Sequence, residues 1–136
     1  MAGLDRFTGQ PLSGWAHVMQ SVDVIFGTRI GERAMLRWFG GALEAVLGRR
    51  ITPTLLARAT AIFALAISLW EPRLRVVRVR VAASAEEIRR GELAFIMEVA
   101  YRPRGHLGDP TEEAELREVG IGVAANGALG TLGIAA

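Results

Sequence analysis

The chain has 136 residues, 51% hydrophobic and 22% charged, enough to build a core and to exclude wholesale disorder. With no cysteine and only His17 and His106, disulfide scaffolds, thiolate metal sites and a cysteine nucleophile are excluded, and no imidazole-built metal centre is expected. All sixteen basic residues are arginine and the net charge is +2, split between a basic part (+5 over residues 1–103) and a mildly acidic tail (−3 over 104–136).

Residues 1–12 read as an arm with turn signals at Gly9 and Pro11, and without the apolar run of a signal peptide. Ser13 is placed to cap a helix. Trp15, Val18, Met19, Val22 and Phe26 then recur at helical spacing, with Gly27 as the stop. A connecting segment carries Arg29, Arg33 and Arg37 among Met35, Leu36, Trp38 and Phe39. A short helix is expected from about Ala42 to Leu47, closed by Gly48.

Thr52-Pro53 is a strong helix start, with Thr as cap and Pro at the first position. Leu55, Leu56, Ala59, Ile62, Phe63, Ala66, Ile67 and Trp70 line a wide apolar stripe, and Pro72 ends the helix. The uncharged run Ala59–Trp70 is shorter than the roughly 20 residues of a membrane span.

Beyond Pro72 the period becomes two. Arg73 and Arg75 sit at odd positions, Arg78 and Arg80 at even ones, so one uniform strand cannot place all four on one face. A bulge near Val76-Val77, or a strand starting at Val76, reconciles them. Ala82–Arg90 reads as a long polar hairpin loop, Glu92–Arg102 as a second strand and Arg104–Glu115 as a loop. Leu116–Ala125 and Ala128–Ala136 read as strands around an Asn126-Gly127 turn. The fold class is therefore α+β: about three helices packed on a small, mostly antiparallel β-sheet. Residues 1–103 form the main domain, and 104–136 a Gly/Ala-rich extension, either an extra hairpin or a partner-binding arm.

No motif points to catalysis or a cofactor. Gly120-x-Gly122-x-x-Ala125 resembles a dinucleotide fingerprint but lacks the following acidic residue. Glu32, Glu44, Glu71 and Glu98 show no spacing that marks a carboxylate pair. Arg73, Arg75, Arg78 and Arg80 have no interleaved aromatic for base stacking, so nucleic acid is not expected as a partner. These arginines either guard a strand edge or dock an acidic protein segment. Glu71-Pro72-Arg73 is a stiff corner between helix and strand. It is either an internal ion pair or a two-sign docking knob. The knob predicts that Arg73→Glu folds but loses its partner; unfolding would favour the internal pair.

His17-x-x-Gln20-Ser21, Thr28-Arg29-x-Gly31-x-Arg33, Phe39-Gly40, Trp70-Glu71-Pro72-Arg73 and the Arg/Val strand occur in that order. With this set, the chain from about Leu12 to Arg102 resembles the baseplate wedge, or sheath-initiator, family of contractile phage tails. That family is similar to a baseplate component of type VI secretion systems. The resemblance implies a non-enzymatic protein of the virion tail baseplate, assembled in the host cytoplasm. It would join the wedge core proteins through Glu71, Pro72 and Arg73. It would template sheath strands by β-addition at an edge near Arg75–Val81 or Glu92–Arg102. Tail tube and hub proteins are further candidate partners; a membrane is not. Two other readings stand beside it: a lysozyme-like tail hydrolase, and a cytosolic anti-adaptor-type binding protein.

Overall fold

The computed structural model describes residues 2–42, 49, 52–123 and 129–132. The first residues are not a bare arm. Ala2–Leu4 (β1) and Pro11–Ser13 (β2) pair antiparallel. Strands of three residues show no alternation in sequence; their turn is instead closed by Asp5, whose carboxylate accepts the Phe7 and Thr8 amides at 2.9 and 2.8 Å.

Helix α1 spans Gly14–Gly27 and buries Val18, Val22, Ile25 and Phe26. Ser13 holds the cap position, but its side chain makes no capping bond. Helix α2 spans Pro53–Trp70; the Thr52 hydroxyl accepts the Leu55 amide at 3.2 Å, and Leu55, Ala59, Phe63, Ala66 and Ile67 are buried. With 18 residues and a mean hydropathy of 1.5, α2 is long and apolar enough to cross a bilayer, yet here its stripe packs into the core. The helix expected over 42–47 lies, beyond Ala42, outside the described residues.

The main sheet has the order β3-β4-β5-β6, antiparallel throughout, with β3 Leu74–Val81, β4 Leu93–Tyr101, β5 Leu116–Val123 and β6 Leu129–Leu132. Strands β5 and β6, which lie beyond residue 103, thus continue the sheet begun by β3 and β4. The Asn126-Gly127 turn lies outside the described residues. The segment expected as a polar loop contains a short helix instead, α3 at Ala85–Arg89. A capping box makes it: Ser84 accepts the Glu87 amide at 3.3 Å, while the Glu87 carboxylate accepts the Ser84 amide at 2.6 Å.

Helices α1 and α2 cover one face of the sheet. Phe63 is fully buried at the centre, edge-on to Phe26 (5.4 Å) and Phe95 (4.8 Å). Phe95, Met97, Val99, Tyr101, Val119 and Ile121 complete the core from the sheet. The fold class is α+β, as the sequence led us to expect, with three helices and antiparallel sheets among the described residues.

Candidate interaction surface

The corner between α2 and β3 is built by hydrogen bonds. Pro72 cannot continue the helix. The Glu71 amide still donates to the Ile67 carbonyl (2.8 Å), and the Leu74 amide donates to the Glu71 carbonyl (3.0 Å). Chain direction therefore reverses within three residues. The Arg102 amide closes the far side on the Arg73 carbonyl at 2.7 Å. Gly105 lies so close that a Cβ there would meet the Pro72 carbonyl oxygen at 2.3 Å.

Glu71 and Arg73 turn inward. They are 2% and 5% exposed, and the guanidinium grips the carboxylate through two bonds, Nε to Oε1 at 2.6 Å and Nη2 to Oε2 at 2.8 Å. Nη1 of Arg73 stands 3.0 Å from Nδ1 of His17 on α1. Arginine is a permanent donor, so Nδ1 must accept and the proton sits on Nε2. Burial, then the Arg73 charge, lowers the His17 pKa from its usual 6.5 and keeps the ring neutral. The pair with Glu71 raises the Arg73 pKa. Pro72 is the exposed member of the tripeptide.

The remaining arginines lie elsewhere. The ladder shifts register between Val76 and Arg78, so Val77 is the extra residue of a bulge. Leu74, Val76, Val79 and Val81 oppose the core-facing Tyr101, Val99, Met97 and Phe95. Arg75, Arg78 and Arg80 consequently share the solvent face, which Arg73 does not. Arg80 reaches Glu118 on β5 at 2.5 Å and lies 3.9 Å from Glu98 on β4. Arg78 has no carboxylate partner among the described residues.

Arg75 instead grips Glu112 through two bonds of 2.6 and 2.8 Å, and Arg102 adds bonds of 3.0 and 2.6 Å to the same carboxylate. Arg75 first, then Arg102, lowers the Glu112 pKa from 4.5 to about 2. This clamp ties the loop before β5 to β3. Nothing in the sequence marked it, because the partners are 37 and 10 residues apart.

Strand β4 is paired on both sides, with β3 and β5, so the edge expected near Glu92–Arg102 does not exist. Among the described residues the outer strands are β3, of eight residues, and β6, of four, and the longer edge is β3. Its flanking bonds fix which groups face out: the Ala82 amide donates to the Ala94 carbonyl at 2.8 Å, and the Arg102 amide to the Arg73 carbonyl. Alternation along an antiparallel ladder then turns the backbone groups of Val76, Val79 and Val81 away from β4.

Residues 13–106 match the family described as baseplate wedge protein gp25. The chain belongs to the baseplate wedge family. Baseplate protein W of Escherichia phage P2 is 30% identical over 82 residues, 60% of this chain and 71% of that protein. Among solved structures, a chain of the postcontracted pyocin R2 baseplate superposes with a TM-score of 0.65 and 32% identity, covering 74% of this chain and 98% of that one. A Geobacter sulfurreducens protein, provisionally named a tail lysozyme, matches with a TM-score of 0.59 and 27% identity over 79% of this chain and 91% of that one. The family match spans α1 to the corner's closing loop, so every part of the corner lies within it.

Proposed function

We propose that this wedge-family chain is a structural protein of the baseplate of a contractile phage tail or phage-like device, and that it starts the sheath by offering its β3 edge to a sheath strand. The observation that carries the reading is that edge: eight residues long, unpaired on one side, and backed by a fully packed sheet. An added strand gains main-chain hydrogen bonds there without disturbing the core.

The wedge core proteins are placed at the corner. Buried Glu71 and Arg73 hold its shape and exposed Pro72 makes the contact, while Arg75, Arg78 and Arg80 extend the partner surface along the solvent face of β3. Tail tube or hub proteins would approach the remaining faces. Residues 1–103 serve as the wedge domain proper, and 104–136 as an extension whose strands β5 and β6 widen its sheet.

Val79→Pro is the test. It removes one outward amide and spares the bonds to β4. Particles carrying it are expected to complete baseplates and to lack sheaths; normal sheaths would overturn the reading.

The tail-lysozyme name of one similar protein raises a hydrolase as the second reading. In this chain Glu71 is neutralised by Arg73. Among the described residues the carboxylates with shifted pKa values, Asp5, Glu87, Asp109 and Glu112, are all lowered, whereas a glycosidase acid needs a raised one. Purified protein is expected to leave a peptidoglycan suspension turbid; clearing would favour the hydrolase.

A further inference from the structure

The loop between α1 and residue 42 is absorbed by none of these roles, yet it is a built object. Its ends are locked: the Thr28 hydroxyl donates to the Val24 carbonyl at 2.7 Å, and the Phe39 ring packs tilted against Trp70, centroids 5.0 Å apart. Gly40 has φ +144, and a Cβ there would meet the Thr28 carbonyl at 2.5 Å. Within the loop, the Gly31 amide donates to the Arg37 carbonyl at 2.6 Å, and the Phe39 amide to the Leu36 carbonyl at 2.9 Å. Leu36 is held at φ +58, a backbone state rare for a bulky residue, of the kind that clusters at binding sites.

What this frame displays is unusual. Met35 is 84% exposed, Trp38 67% and Leu36 50%. Arg29, Arg33 and Arg37 share the loop with them in sequence, all exposed. Among the described residues none of the three has a carboxylate partner; Arg33 lies over the Phe39 ring at 4.1 Å. The loop's one acid, Glu32, is spent on the Arg29 amide at 2.8 Å. Trp, Met and Arg are the residues enriched in protein-binding hot spots.

We infer that the loop spanning residues 29–38 is a second docking surface, for an acidic segment of another protein that carries an apolar anchor. Charge complementarity selects the occupant: three arginines with no carboxylate partner among the described residues, interleaved along the loop with exposed apolar side chains, call for carboxylates flanking a hydrophobic side chain. A second copy of this chain fits poorly. Most of its acidic stretch is already neutralised within the fold, Asp109 by Arg104, Glu112 by Arg75 and Arg102, Glu113 by Arg117 and Glu118 by Arg80, which leaves one carboxylate of that stretch, Glu115, without a cation among the described residues, too few for three arginines. Nucleic acid would use the cations and leave Met35 and Leu36 in water.

The surface is distinct from the β3 edge, so the two are tested side by side. Full-length tagged chain with Trp38→p-benzoylphenylalanine is made in cells that assemble particles with an untagged wild-type copy, then irradiated, and the adducts are sequenced by mass spectrometry. The expected adduct is an acidic segment of another tail protein, reduced at least tenfold when Arg29→Glu and Arg37→Glu are added; thermal melts of that variant should match the parent, since both side chains are exposed. Adducts confined to this chain, to a second copy, to nucleic acid or to lipid overturn the inference. So does an adduct insensitive to charge reversal, or none at all. The same probe at Val77 reports separately on the β3 edge.

Discussion

At the residue scale, Glu71 and Arg73 decide how the corner behaves. Both charges are out of water, and each satisfies the other through two bonds. Removing one partner of such a pair strands the other, at a cost of about 3 kcal/mol. Arg73→Ala should lose about that much in urea unfolding, and Arg73→Glu more, because two carboxylates would then face each other. Unchanged stability of both variants would return the corner to a docking knob. His17 adds a pH signature. Its folded pKa lies below 6.5, so the unfolded chain takes up the proton first. Stability is complete above that value and declines as pH falls below it, until the folded pKa is reached. His17→Gln should abolish this slope in melts between pH 7 and 5. Glu112 acts lower. With its pKa moved from 4.5 to about 2, its contribution is present above 4.5 and lost as pH falls towards 2. Glu112→Gln should flatten that acid limb. The pairing of Glu71 with Arg73 was legible as one of two options in the tripeptide; its burial was not, because His17, Tyr101 and Gly105 arrive from distant elements.

At the element scale, what could be read was punctuation. Thr52-Pro53 and Pro72 bound α2 as their backbone chemistry requires, and the parity change among the arginines called for either a bulge or a strand starting at Val76, of which the structure has the bulge. Deleting Val77 tests that reading. It leaves an unbroken alternation with the same residues facing the core, so the variant should fold. Its straightened edge should also self-associate more in sedimentation velocity, since bulges protect edges. A variant that unfolds would show that the bulge's extra twist is needed for the fold. Elements without punctuation or period were missed. The β1–β2 hairpin is too short to alternate. Helix α3 buries no side chain, so no apolar stripe announced it; only the Ser84–Glu87 capping box did. Ser84→Ala should cost about 1 kcal/mol, seen as a lower urea midpoint.

At the scale of the whole molecule, two helices and one sheet face share a single core. The opposite sheet face carries arginines and their carboxylates, and one long edge is left open. Phe63 joins the layers, touching rings from α1 and β4. Phe63→Ala should therefore lower stability by about 3–5 kcal/mol, measured by urea unfolding. The fold class was legible because periods of 3.6 and 2 follow one another along the chain. Which strand lies at the edge was not, because strand order depends on where residues beyond 103 pair. That order is what gives β3 its role. The most direct test is hydrogen–deuterium exchange of the full chain, alone and with purified sheath protein. The account predicts that the outward amides of Val76, Val79 and Val81 slow at least tenfold on adding sheath protein, with β4 unchanged. Unaltered exchange along β3, or protection confined to another face, would contradict it.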